Sequence, residues 1–343
     1  MNNDILLKIE KLRKYFPIRR NLFELMSNKS EQYVHAVDDV SFTVQEGKTL
    51  GFVGESGCGK TTLGRTILRL IEPTSGNIYY EGIDITNLKK NDLKDMRRKM
   101  QMIFQDPHGT LNPRRTVSDI LRQTIRIHRL ADSKTEENEL ITKALEEVGM
   151  TPVDEFWDRY PQLLSGGQRQ RVGIARALVL QPKLVIADEP VSMLDVSVRI
   201  GILDLILKMK EEHGISLIFI THDLSTARYV CDRIAIMYLG KIVEIAPTEV
   251  IIKKPVHPYT RALISAVPRP IPTKHLQDIP IKGYVPVTPD VFRGCRFNPR
   301  CLYPNKECLE QEPQLIKVGD DHFVACHYLN IKDQIERQDD QNN

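Results

Sequence analysis

No apolar run in this 343-residue chain approaches the ~18–20 residues that a bilayer-spanning helix needs. The longest, such as "SLIFI" at 216–220, have the length of buried strands. The opening residues, "MNNDILLKIEKLRKYF", break their apolar positions with charges and offer no signal-peptide core, so the chain is expected in the cytoplasm. An excess of one charge is missing too. Lys and Arg number 48 against 45 Asp and Glu, and a net +3 gives no general electrostatic reason to expect nucleic acid as a partner. There is no internal repeat, sustained heptad pattern or low-complexity tract. Cysteines are few and unevenly placed: Cys58 and Cys231 stand alone, whereas Cys295, Cys301, Cys308 and Cys326 crowd the last fifth. In a reducing compartment that grouping points to a metal more than to a disulfide framework.

The chain has the length for one large core plus an appended module. The segment "KTLGFVGESGCGKTTLGRTILRLIEP" predicts a short apolar strand, a glycine turn and an amphipathic helix from about Gly59 to Ile71, stopped before Pro73. Further short apolar runs at 101–106, 183–188, 216–223 and 233–238 alternate with helical stretches, which predicts an α/β core with a largely parallel sheet covered on both faces. Between Gln105 and Leu180 the pattern turns almost wholly helical, as an inserted helical subdomain would read. From Pro255 to Pro313 there are eleven prolines and one short helical stretch, "YTRALISAV", so a loop-dominated tail is expected to begin there.

Gly54, Gly59, Lys60 and Thr61 fit G-x-x-x-x-G-K-[ST], with a strand before and a helix after. The glycines let backbone N–H groups turn inward around phosphates. Lys60 sets a cation against the β and γ oxygens, and the Thr61 hydroxyl reaches Mg²⁺ at a helix N-terminus. Glu55, Ser56, Gly57, Cys58 and Thr62 complete this candidate nucleotide cradle. Downstream, "LVIADE" ends a hydrophobic strand on two acids, and a parallel strand delivers its C-terminal residues to the crevice where ligands bind. Asp188 suits Mg²⁺ there, and Glu189 an attacking water.

In order along the chain, "GESGCGKT", Gln105, "LSGGQ" at 164–168, "ADEP", "SMLD" at 192–195 and "THD" at 221–223 resemble the nucleotide-binding subunits of ABC transporters. The resemblance covers most of the first 260 residues, and its most specific element is LSGGQ opening a helix. It implies a P-loop ABC-type ATPase domain at 1–254 with a helical subdomain at about 106–180, an extension at 255–330, and a polar tail at 331–343. It also implies that two such domains stack head to tail. The signature turn, Ser165, Gly166, Gly167 and Gln168, would then close over ATP held by the partner's phosphate loop, with Asp195 across the seam. Residue by residue, Glu189 would be the general base, His222 would contact the γ-phosphate, and Gln105 would touch Mg²⁺ and water. Tyr15 in "KYFP" would stack on adenine, with Phe16 as the rival and a plain core role as the alternative. A soluble ABC ATPase acting on DNA or ribosomes would carry a long coiled-coil insertion or tandem ATPase domains, and the sequence has neither. A scaffold without turnover is opposed by the complete set Lys60, Gln105, Asp188, Glu189 and His222.

The flanking text, "VHAVDDVSF", "QMIFQDPHGTLNPRRTV" and "HPYTRALISAVP", resembles the ATPases of oligopeptide and dipeptide importers, with nickel importers as near relatives. That resemblance implies a paralogous second ATPase, two membrane permeases and an extracytoplasmic peptide-binding protein. The chain would sit peripherally on the cytoplasmic face of the membrane. By spacing alone, C-x₅-C-x₆-C-x₁₇-C suits either Zn²⁺ or a [4Fe–4S] cluster. The resemblance selects the cluster, held by Cys295, Cys301, Cys308 and Cys326. His322 and His327 are read as surface residues or as residues behind the ligands.

Overall fold

The computed structural model describes residues 5–18, 31–266, 281–283 and 293–327. The polar tail expected at 331–343 therefore lies outside the described residues. The chain divides into two compact units, each assembled from three stretches of sequence. One comprises Met1–Lys8, Thr43–Thr49 and Ile78–Thr221; the other comprises Ile9–Phe42, Leu50–Asn77 and His222–Asn343. This division differs from a line drawn at residue 254, because the C-terminal segment folds with the phosphate-loop segment and the helical stretch folds with the acid-ended strand.

In the first unit, strands Met100–Ile103, Leu184–Asp188 and Ser216–Thr221 run parallel, with Met100 opposite Leu184 and Leu184 opposite Ser216. Every residue of the second and third strands is buried. That is why they read as unbroken apolar runs: a parallel sheet is covered on both faces. Burying a side chain as completely as Phe219 contributes roughly 1.5–3 kcal/mol. The helical stretch is present as Val117–Ile127, Lys134–Glu147, Asp154–Trp157 and Gly166–Leu178, with short turns between. Thr116 and Ser133 cap two of these helices through their hydroxyls.

In the second unit, Leu50–Val53 of strand Thr49–Val53 pairs parallel with Arg233–Tyr238. The helix after the glycine turn spans Lys60–Ile67, shorter than the periodicity predicts, because Arg69 takes a left-handed φ of 51° and turns the chain before Pro73. Arg233–Tyr238 continues into Lys241–Pro247 by a two-residue hairpin, in which Leu239 and Gly240 both have positive φ, as a tight twisted turn requires. The tail departs from the loop-dominated expectation. Strands His322–Val324 and Ile316–Gly319 extend the same sheet, with Glu244 opposite Val324 and Ile316 opposite Val324. Three- and four-residue strands give too little alternation to be read from sequence; the free edge of Lys241–Pro247 recruits them. The helical stretch "YTRALISAV" appears as Pro258–Ser265, with Pro258 at its first position and the His257 ring nitrogen accepting from the Tyr259 N–H.

Candidate functional site

The phosphate loop, Tyr15 and His222 fall in the second unit; Gln105, the signature turn, Asp188, Glu189 and Asp195 fall in the first. The glycines of the loop are there for steric reasons. At Gly59, φ is 107° and a Cβ would stand 1.9 Å from the Ala36 carbonyl oxygen; at Gly54 it would stand 2.1 Å from that of Met237. Neither position admits a side chain while the loop keeps its shape. Gly240 N–H donates to the Cys58 carbonyl at 2.8 Å and pins the loop's centre to the neighbouring hairpin. Lys60, buried at 4 % exposure, donates to the carbonyls of Gly54 at 2.7 Å and Glu55 at 3.0 Å, so its ammonium lies along the loop whose backbone would surround phosphates. Cys58 is buried beside it, and burial holds its thiol above the ordinary range, which keeps it neutral.

Tyr15 presents its ring beside that of His35, stacked at 4.0 Å and 20°, and its hydroxyl donates to Asp38 at 2.5 Å. Burial first, and the Asp38 carboxylate second, push the Tyr15 hydroxyl well above the ordinary tyrosine range. Asp38 is held below its ordinary value by that hydrogen bond and by the Arg296 and Lys241 charges, which outweigh the opposing effect of burial. The rival Phe16 has the Lys14 ammonium 4.9 Å from its ring centroid. His222 is exposed, one residue past the strand Ser216–Thr221.

In the first unit, Asp188 closes its strand at 1 % exposure. Glu189 follows with φ 44°, a conformation that side-chain-bearing residues rarely adopt and that clusters at functional sites. Its N–H donates to the Ile220 carbonyl at 2.9 Å, and one carboxylate oxygen accepts from the Gln105 amide at 3.1 Å. The structure thus joins two residues 84 positions apart that the sequence singled out separately. The signature turn forms a complete capping box. The Ser165 hydroxyl accepts from the Gln168 N–H at 3.2 Å, and the Gln168 side chain accepts from the Ser165 N–H at 2.9 Å. Gly167 approaches Val198 so closely that a Cβ would lie 2.5 Å from a methyl carbon. The same helix reaches back to the segment after Gln105 through Arg176, which donates to the Thr110 carbonyl at 2.8 Å. Asp195 is exposed at the start of helix Val196–His213.

All four clustered cysteines line one small cavity, together with His257, Phe297, Tyr303 and His327. The Cys295 N–H donates to the Cys308 carbonyl at 2.8 Å, which fixes that pair of chain segments. Burial, then backbone hydrogen bonds that oppose it, then the thiols of Cys308 and Cys326 leave the Cys295 thiol pushed up to about 12. Among the described residues no group of three or more His, Cys, Asp or Glu side chains is arranged to hold a single metal ion. His322 is not at the surface: it is 6 % exposed and meets Glu244 at 2.8 Å, because its strand pairs with the one carrying Glu244, and it does not line the cysteine cavity. His327 lies at the cavity with its ring nitrogen on the Gln311 carbonyl at 2.8 Å.

Four residues that sequence reasoning passed over shape these sites. Arg300 pairs with Glu55 in the phosphate loop, the Tyr259 hydroxyl accepts from the Glu55 N–H, and Arg296 grips Asp38. The only trace in sequence is the spacing of the two arginines inside "CRFNPRC"; their partners lie more than two hundred residues away.

Residues 37–192 match the family model of the ABC transporter, and residues 243–308 match that of the oligopeptide/dipeptide transporter C-terminal region. A Sinorhizobium fredii protein named "Probable peptide ABC transporter ATP-binding protein y4tS" is 49 % identical over 325 residues, 95 % of this chain and 90 % of that protein. The oligopeptide transport ATP-binding protein AppF of Bacillus subtilis is 44 % identical over 95 % of this chain and 98 % of its own length. The dipeptide transport ATP-binding protein DppF of Haemophilus influenzae is 43 % identical over 96 % and 98 %. Among solved structures, the ATP-binding cassette MJ0796, as a dimer in a post-hydrolysis state with ADP and phosphate, aligns with TM-score 0.61 at 28 % identity. The alignment covers 71 % of this chain and 98 % of that one.

Proposed function

We propose, because this chain belongs to the ABC transporter ATP-binding proteins in their oligopeptide/dipeptide group, that it hydrolyses ATP to drive peptide import through a membrane complex. One observation carries the catalytic half: Glu189, held at φ 44° past a buried strand end, has its carboxylate on the Gln105 amide. A base so oriented can take a proton from water attacking a γ-phosphate. Residues 54–62 cradle the phosphates and Tyr15 takes the base. His222 would contact the γ-phosphate, and Thr61 in one unit and Gln105 and Asp188 in the other each offer an oxygen that would coordinate Mg²⁺. The hard oxygens of this set, with Asp188 already buried, fit that ion. Mg²⁺ would supply charge neutralisation on the phosphate oxygens.

The signature turn and Asp195 serve a second ATPase domain, a paralogue stacked head to tail. Beside the Gln168 N–H, which the Ser165 hydroxyl caps, the Gly166 and Gly167 N–H groups open the helix at its positive end and favour an anion presented from outside. Leu163, 69 % exposed just before the turn, and Met193 and Val196, 63 % and 74 % exposed on either side of Asp195, suit burial against such a partner. Two permeases and an extracytoplasmic binding protein complete the assembly. As the ATP-binding partner of those permeases the chain attaches peripherally, on the cytoplasmic face; among the described residues no helix is long and apolar enough to cross a membrane. The relatives' peptide, oligopeptide and dipeptide names favour peptide over nickel as cargo, and the match at 243–308 favours transport over a role on nucleic acid or ribosomes. The ATPase domain is taken as 1–254, with its helical subdomain at about 106–180, and the extension as 255–330. In the complex purified from native membranes, peptides delivered with the binding protein are expected to raise ATP turnover several-fold. Stimulation by nickel instead, or permeases of another transporter class, would reassign the cargo.

The extension holds a [4Fe–4S] cluster on Cys295, Cys301, Cys308 and Cys326. The donor set offered is four thiols lining one cavity, soft ligands of the kind that hold iron–sulfur clusters. Ligation would also compensate the burial of thiols, since a metal draws off their protons and its binding energy adds to folding. The chain purified without oxygen is expected to contain four iron and four sulfide per molecule, by the cluster's own composition. Stoichiometric zinc without iron would replace the cluster by a structural zinc site.

A further inference from the structure

The loop from Cys295 to Cys301 carries two arginines, one directly after its first cysteine and one directly before its second. Both side chains are buried, at 9 % and 5 % exposure, and neither lines the cysteine cavity. Arg300 forks onto Glu55, with Nη1 2.7 Å from one carboxylate oxygen and Nη2 2.9 Å from the other. The backbone N–H of Glu55 donates to the Tyr259 hydroxyl at 2.9 Å, so the extension holds this loop residue by both its main chain and its side chain. Arg296 donates to Asp38 and to the Leu239 carbonyl, and its Nε donates to Glu312 at 3.1 Å. Asp38 is the carboxylate that accepts from the Tyr15 hydroxyl. All of these residues belong to one compact unit.

Burying a guanidinium is costly unless it is fully paired, and an apolar side chain would pack such a tail as well or better. Planar fork-to-fork pairing fixes the orientation of a carboxylate as well as its charge. The charge matters at Glu55, because a free carboxylate on a loop that receives a triphosphate would repel it. We propose that Arg300 and Arg296 are positioning residues of the nucleotide site, each holding one end from the C-terminal extension. Arg300 neutralises and orients Glu55 in the phosphate loop; Arg296 fixes Asp38 and, through it, the Tyr15 ring. Neither touches the nucleotide. The assignment rests on residues 54–62 and Tyr15 being the ATP site. A group bound by the flanking thiolates would fix the backbone beside both guanidinium groups.

The test is displacement of a fluorescent ATP analogue from the full chain with Mg²⁺, using ATP and inorganic triphosphate as competitors and thermal melting to verify folding. Arg300→Ala is expected to weaken both competitors about tenfold, equivalent to about 1.4 kcal/mol. Glu55→Gln/Arg300→Ala is expected to recover most of that loss, because the unpaired charge is gone; a merely structural arginine would give no such recovery. Arg296→Ala is expected to weaken ATP several-fold while leaving inorganic triphosphate unchanged. Wild-type affinity in folded Arg300→Ala, no recovery in the double variant, or equal losses of both competitors in Arg296→Ala would each overturn the proposal. Should Arg300→Ala not fold, the neutral Arg300→Gln with and without Glu55→Gln is judged by the same recovery. If the wild-type chain itself binds no ATP, the nucleotide-site assignment fails; if wild type binds and the variants match it, only the role of the arginines fails.

Discussion

Glu189→Gln is expected to lower ATP turnover by about 10²–10⁴-fold, the usual contribution of a positioned general base, while leaving ATP binding intact. The amide keeps the shape of the carboxylate and can still meet Gln105, which lies 3.1 Å from the acid, so the strand end and its unusual φ of 44° should persist. What is lost is the ability to accept a proton from water. With hydrolysis blocked, ATP would remain clasped between two ATPase domains, and the variant is expected to accumulate as a closed dimer with its partner subunit. Single-turnover hydrolysis and size-exclusion chromatography with ATP and Mg²⁺ check the two halves separately. Unchanged hydrolysis would remove Glu189 from the base role, and a monomer persisting beside the partner subunits would remove the head-to-tail clasp.

Gly59→Ala is expected to abolish nucleotide binding and to destabilise the chain by about 2–4 kcal/mol, a size reserved for backbone strain or overpacking in a tight site. Two independent obstacles coincide there. A backbone φ of 107° lies in a region that residues with a Cβ rarely enter, and the added carbon would sit 1.9 Å from the Ala36 carbonyl oxygen. Relief requires the loop to unwind at the first turn of helix Lys60–Ile67, which would carry Lys60 and Thr61 away from the phosphates. Thermal melting and equilibrium ATP binding measure both effects. Gly57→Ala is the informative control: its φ is 82°, but nothing lies within 4 Å of a built Cβ, so only the backbone penalty applies and the loss should be smaller. Equal effects at the two positions would mean that the approach to Ala36 costs nothing.

The elements that were legible are those whose signal is local. Strand Leu184–Asp188 could be read because both of its faces are covered, and the turn at Ser165 because a capping box needs only Ser165 and Gln168. Gly59 could be read because its neighbours Lys60 and Thr61 identify the loop. The two edge strands Ile316–Gly319 and His322–Val324 were not legible, nor was the early end of helix Lys60–Ile67 at Arg69. Short strands take their state from the edge they join, and the positive φ of Arg69 leaves no mark in the helical periodicity. Burial of His322 depended in turn on Glu244, which sits across a strand pair 78 residues away.

By itself, the order of residues determined the chemistry of this protein: a loop fit for phosphates, an acid pair at a strand end, a signature turn, and four thiols grouped near the C-terminus. Tertiary structure alone decided which of these groups meet. The Gln105 amide on Glu189, the Arg300 fork on Glu55 and the Arg296 grip on Asp38 each join residues 84 to 258 positions apart. The physical reason is that motif chemistry is written in side chains a few residues apart. A buried charge, by contrast, finds its partner wherever the folded backbone brings a counter-charge within hydrogen-bond reach, and no sequence spacing encodes that distance.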